Sequence, residues 1–288
     1  MCASYDPSSV DTEMYPLNFA KPGVVYIFNN RNFTRGDGNL HLRAGSEKDV
    51  QRLFDTFDEL NFDVECYIDK TAKELRSYIR KITRDVDYTN IDSVLIFIMS
   101  HGKDDKIFGT DGEELYLSDF IQPFKSVKSL KGKPKMFFIN ACRGNMMAPT
   151  HDSLNNQHKV EMDTPDLNAA VSRIPLDADI LLAFSTVANY FSIRDAEDGS
   201  WYIQILCDMI DKFKAQRDIL GILTRVNAGV ADKEGCFKNN QGEFEQVKMV
   251  STYTSQLKKD FYFTRPSSHV IIYFFLKSLT KKNHSNSF

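Results

Sequence analysis

The chain has 288 residues, 42% of them hydrophobic and 26% charged, an ordinary globular balance that excludes a disordered or fibrous protein. Its 39 acidic against 36 basic residues leave a net charge of −3, which argues against nucleic-acid or membrane binding through bulk charge. The five cysteines, at 2, 66, 142, 207 and 236, form no C-x-x-C pair. Neither a disulfide framework nor a metal site is therefore expected, no cofactor is implied, and a reducing, cytoplasmic setting fits best. The first positive charge is Lys21, and no apolar stretch precedes it, so no secretory signal is read. The apolar run at 270–276 is too short for a bilayer, which takes about 20 residues.

Residues 1–23 are polar, carry Pro7 and Pro16, and have no periodicity, as expected of a loose N-terminal peptide. Residues 24–28 read as a buried strand. Ser46 is the expected N-cap of a helix whose apolar face is Val50, Leu53, Phe54, Phe57 and Leu60. A strand is expected over 62–68. A capping box at Thr71 and Glu74 then opens a helix with Leu75, Tyr78, Ile79 and Ile82 on one face. The runs at 94–99 and 136–139 are continuously apolar, the pattern of central parallel strands buried on both faces. Between them, five lysines in residues 125–135 read as a solvated loop, since no aromatics interleave. From 144 to 174 the pattern stops, a length that marks a functional or disordered segment inside a domain. Strands are expected again at 180–184, 249–253 and 261–263, and helices at 201–213 and 218–231. Strand and helix alternation predicts an α/β fold with a mostly parallel sheet.

Open α/β sheets deliver functional residues at the carboxyl ends of their strands. Of six histidines and five cysteines, only His101 and Cys142 stand just beyond the two central strands. A thiol beside an imidazole is a nucleophile with its base. Gly102 and the backbone N–H of Cys142 are candidate donors for the oxyanion formed on a carbonyl.

The sequence around Cys142 reads Asn-Ala-Cys-Arg-Gly, and it does not stand alone. Arg43-Ala-Gly-Ser46, Ser100-His-Gly102, Phe108-Gly-Thr-Asp-Gly112, Gly132-Lys-Pro-Lys135, Ala183-Phe-Ser-Thr186, Asp198-Gly-Ser-Trp201 and Leu223-Thr-Arg-Val226 occur in that order along the chain. Together they resemble the executioner caspases over residues 24–264. The resemblance implies a three-layer sandwich with an antiparallel strand at the C-terminal edge of the sheet. It implies a cysteine endopeptidase that cuts proteins after Asp in programmed cell death, with Cys142 as nucleophile and His101 as base and acid. Arg43 and Arg194 would clamp the substrate carboxylate, and the Ser192 backbone would pair with the extended substrate. Asn140 stands where the family has Gln, one methylene longer, so a missing hydrogen bond in the pocket is expected. Ile193 replaces the family's Trp and removes an aromatic wall.

The resemblance also implies a zymogen, divided here as a large-subunit region at 24–163, a linker remainder at 164–176 and a small-subunit region at 177–288 with an extra tail at 266–288. Cleavage is expected after Asp163, with Asp152 and Asp166 as rivals, and after Asp11 to release the N-terminal peptide. An upstream activating caspase, inhibitor-of-apoptosis-type proteins and a second copy of the processed chain are the implied partners. The short N-terminal peptide leaves no room for a death-fold recruitment domain, which points to a downstream enzyme. The alternative is a weakly active or decoy homologue that regulates a partner caspase by pairing with it.

Overall fold

The computed structural model describes residues 14–34, 40–144, 178–238 and 244–265. Its centre is a six-stranded sheet. In chain order the strands are β1 (Gly23–Asn29), β2 (Asp63–Ile68), β3 (Ser93–Met99), β7 (Lys135–Asn140), β8 (Ile180–Phe184) and β13 (Thr252–Ser255), arranged β13-β8-β7-β3-β1-β2. Every pairing is parallel except β13 with β8. The antiparallel edge strand is where the resemblance placed it.

Helices cover both faces. On one lie α1 (Ser46–Glu59), α4 (Trp201–Phe213) and α5 (Ile219–Asp232), packed on Val25, Ile27, Phe97, Phe138 and Ala183. On the other, α2 (Ala72–Asp85) and α3 (Leu117–Lys125) pack on Tyr26, Ile96, Phe137 and Leu182. Successive strand residues thus feed opposite cores, which is why the sequence of β3 and β7 is continuously apolar. Strand β2, at the edge, is mostly exposed and correspondingly polar.

The capping box of α2 forms as expected, with Thr71 Oγ1 accepting from the Glu74 N–H and the Glu74 carboxylate accepting from the Thr71 N–H. At α1 the expectation is corrected. Gly45, in the left-handed region at φ 85°, is the N-cap, and Ser46 is the first helical residue. The Ser46 hydroxyl is buried and accepts from Asn29 Nδ2 at 3.3 Å, so it is spent on the sheet and not on the helix end. Phe54 lies off the apolar stripe and is exposed. The lysine-rich loop is also corrected. Lys135 is buried, and Lys133 donates to the carbonyls of Tyr88, Thr89 and Ile91 at 2.6–2.8 Å, tying down the turn before β3.

Three further expectations change. The N-terminal stretch is anchored from Met14 on, because Tyr15 is buried and its hydroxyl donates to Asp179 at 2.7 Å. The last strand begins at Thr252, not at 249. Residues 261–263 are buried but form no strand; the Phe263 ring packs against Phe57 and Phe62 at 5.9 and 6.4 Å. Here apolarity reflects core filling by irregular backbone. Sequence pattern missed the short pieces: β4 (Gly102–Lys103), β5 (Lys106–Phe108) and β6 (Glu114–Tyr116) in one small sheet, the pair β9 (Arg194–Asp195) and β10 (Gly199–Ser200), and the hairpin β11 (Gly235–Lys238) and β12 (Phe244–Val247). The linker, the tail from 266, Asp11, Asp152, Asp163 and Asp166 lie outside the described residues.

Candidate active site

The parallel register of β3 and β7 pairs Met99 with Asn140. His101 and Cys142 each stand two residues further on, so the two strands release them at the same level of the same rim. The chains stay close there. A Cβ added to Gly102 would sit 2.8 Å from the Cys142 carbonyl oxygen and 2.9 Å from the Ala141 Cβ, so only glycine fits between them.

His101 is half-buried, and its Nε2 lies 2.6 Å from the carbonyl oxygen of His41. A carbonyl only accepts, so Nε2 carries the proton and Nδ1 holds the free lone pair. The Phe33 ring flanks the imidazole at 4.8 Å between centroids. Burial pulls the His101 pKa below the ordinary histidine value, and the charges of Arg43 and Arg194 pull it further. The group is therefore a neutral base at pH 7. Sequence reading passed over His41, because its contribution is a backbone atom that any residue supplies.

Cys142 is half-buried, and its Sγ is held by one residue of the facing loop. It accepts from the Ser192 N–H at 3.4 Å and approaches the Ser192 carbonyl oxygen at 3.9 Å. Ser192 is thereby tied to the thiol through its backbone. Its hydroxyl turns inward and donates to Asn140 Oδ1 at 2.9 Å.

Arg43 is 2% exposed, and its Nη1 donates to Asn29 Oδ1 at 3.1 Å and to the Asn30 carbonyl at 2.8 Å. Arg194 opens β9, is half-buried, and its Nε donates to the Ala44 carbonyl at 2.7 Å. Neither forms an ion pair among the described residues, and the charge of Arg194 bears on Arg43. Burial, then Arg194, pushes the Arg43 pKa down to about 9, still charged at neutral pH. Burial lowers that of Arg194 as well, while Asp49 and Cys142 act to raise it. A buried and a half-buried guanidinium near each other are the chemistry that receives an anion.

Asn140 is held from inside the protein. The side chain is buried, its Oδ1 accepts from Ser192, and its Nδ2 donates to Ser200 Oγ at 2.7 Å. The shorter amide has partners at its own length, because Ser200 at the head of α4 and Ser192 reach in to meet it. Ile193 likewise turns inward: it packs against the core, and its N–H meets Met249 Sδ at 3.1 Å.

Residues 22–262 match the family model described as "Caspase domain". The chain belongs to the caspase family. Among its relatives are caspase-3 of Bos taurus, 34% identical over 254 residues covering 87% of this chain and 88% of the relative, and caspase-7 of Gallus gallus, 33% identical over 255 residues covering 88% and 80%. Caspase-3 of Mesocricetus auratus is 34% identical over 251 residues, 86% of each chain. These relatives are of the executioner type that the sequence motifs resemble. No helix among the described residues is long and apolar enough to cross a membrane, and no group of His, Cys, Asp and Glu side chains among them has the form of a metal site.

Proposed function

We propose that the caspase cleft of this chain is an active, Asp-specific endopeptidase site, working on proteins in programmed cell death. The observation that carries this reading is the joint arrangement at the ends of β3 and β7. A thiol and a neutral imidazole share one rim, and two cations, Arg43 buried and Arg194 half-buried, without an ion pair among the described residues bear on them. His101 Nδ1 takes the Cys142 thiol proton, and the thiolate attacks the carbonyl carbon of the substrate Asp. The oxyanion is held by the backbone N–H groups of Gly102 and Cys142. His101 returns its proton to the departing amine as the C–N bond breaks. Water, deprotonated by His101, then opens the thioester and regenerates the thiol. Arg43 and Arg194 select the Asp carboxylate, and Ser192 pairs with the extended substrate backbone as an added strand. An intact Cys142, His101, Arg43 and Arg194 favour this enzyme over a decoy.

The test is a panel of tetrapeptide reporters that differ only in the residue before the cut. Hydrolysis confined to Asp is the expected result; equal turnover of Glu or Asn reporters overturns the assigned specificity.

Activation belongs to the same reading. The chain is cut after Asp163, with Asp11 as a second site, by an upstream caspase or by itself, and the processed protein works as a homodimer in the cytoplasm. Support for the dimer is the place of β13, an edge strand whose one partner among the described residues is β8. Such an edge is a ready template for pairing across a two-fold axis. Residues 261–263 are core and take no part. An active species that sediments as a monomer at working concentration would sink this.

A further inference from the structure

Asp49 is 0% exposed and sits on the same face of α1 as Leu53 and Phe57. Three donors converge on its carboxylate. Oδ1 accepts from the Ser200 N–H at 2.7 Å and from Gln204 Nε2 at 3.0 Å, and Oδ2 accepts from the Ser200 hydroxyl at 2.5 Å. It is also a charge that both Arg43 and Arg194 feel. Burial raises its pKa, while these donors and the Arg43 charge act the other way.

The hydrogen bonds around it run in one direction. A carboxylate only accepts, so the Ser200 hydroxyl must give its proton to Asp49. Ser200 Oγ then has only lone pairs for Asn140, and Asn140 must turn its NH2 toward Ser200 and its oxygen toward Ser192. Ser192 donates inward to that oxygen, and its backbone holds Cys142 Sγ. The side-chain donors of Ser192, Asn140 and Ser200 all point toward Asp49.

We propose that Asp49 is a positioning residue for the specificity pocket: through Ser200 it fixes which way round the Asn140 amide stands, so that the cleft meets an incoming carboxylate with N–H and not with C=O. The proposal rests on the reading of this cleft as an Asp-specific site. Asn140 has two amide protons. One goes to Ser200; the other has no partner among the described residues, which leaves it for the substrate carboxylate. A reversed amide would present oxygen to the substrate carboxylate, a repulsive contact in a buried site.

An isosteric change reverses the series. In Asp49→Asn the new carbonyl must take the Oδ1 position, because the Ser200 N–H and Gln204 are both donors. Its NH2 then occupies the Oδ2 position and donates to Ser200 Oγ. The Ser200 hydroxyl must send its proton to Asn140 instead, and the amide turns over.

The experiment compares wild type, Asp49→Asn and Ser200→Ala on two reporters, ending in Asp or in Asn before the cut, with melting temperature measured in parallel. Asp49→Asn should raise KM for the Asp reporter about tenfold, with a smaller change in kcat, and lower the Asp-over-Asn preference by a similar factor. Ser200→Ala, which cuts the relay but keeps the Asp49 charge, should shift both in the same direction. A purely structural Asp49 would lower the melting temperature and leave KM and the preference unchanged; that result overturns the proposal. Should Asp49→Asn fail to fold, Ser200→Ala decides alone: a preference equal to wild type overturns it. Wild type that turns over both reporters alike would instead defeat the Asp-specific reading, and this proposal with it.

Discussion

Replacing Cys142 by Ala is expected to abolish peptide hydrolysis, a loss on the order of 10⁴-fold or more, since it removes the thiol that forms the acyl intermediate. The fold should survive. Cys142 is half-buried, lies beyond the end of β7, and its side-chain hydrogen bonds among the described residues are with Ser192. Its removal leaves a backbone N–H facing an open cleft rather than a gap in either core. The melting temperature should therefore stay within about 4 °C of wild type, the shift that ~1 kcal/mol produces in a chain of this size. The pH profile carries a second sign. His101 acts only when neutral, and burial with the Arg43 and Arg194 charges holds its pKa below the ordinary histidine value. Activity should be present above that lowered pKa and fall away as the pH drops through it. The acid limb of kcat/KM thus belongs below that of an unperturbed imidazole. Residual turnover by Cys142→Ala near the wild-type rate would remove this residue from the mechanism. An acid limb above the ordinary histidine value would contradict the neutral base.

The regular frame and the rim were legible in the sequence for the same reason. Strands β3 and β7 are buried on both faces, so their apolar runs are continuous, and topology sets the position of the residues just past the carboxyl end of each run. That is how His101 and Cys142 could be paired before any coordinates. The pocket behind them was less legible. Asp49 interrupts the apolar stripe of α1 at the very face that carries Leu53 and Phe57, and a charge on a buried face is a signal that was present in the sequence. Its meaning was not, since Ser200 lies 151 positions away and reaches it through β10 and the start of α4. His41 contributes only a carbonyl, which has no signature. The intraprotein partners of Asn140 had no signature either, since Ser192 lies in the loop before β9 and Ser200 in β10, both far away in sequence. The misplaced strand at 261–263 has the opposite cause: Phe261 and Phe263 pack on each other in the core, Phe263 beside Phe57 and Phe62, and composition alone does not separate that from pairing.

Arg194→Ala should nearly eliminate turnover of Asp reporters, a fall in kcat/KM on the order of 10²–10³-fold, because a buried carboxylate would be left half-paired. The cost to stability should be small or even reversed. Arg194 is half-buried and has one side-chain hydrogen bond among the described residues, to the Ala44 carbonyl. Its charge also presses on Arg43, where it is the second cause, after burial, of the lowered pKa. Removing it relieves that repulsion. Arg43 should behave differently. It is 2% exposed and bonds Asn29 and the Asn30 backbone at the end of β1, so Arg43→Ala opens a cavity and orphans two acceptors. Loss of activity should there come with about 2–4 kcal/mol of lost stability. The two arginines thus separate by their effect on melting temperature although both are assigned to the same carboxylate. A peptide aldehyde ending in Asp supplies the missing countercharge. It should raise the melting temperature of wild type more than its Asn analogue does, and lose that advantage in Arg194→Ala. Equal shifts from the two aldehydes in wild type would mean that the paired cations do not receive the carboxylate.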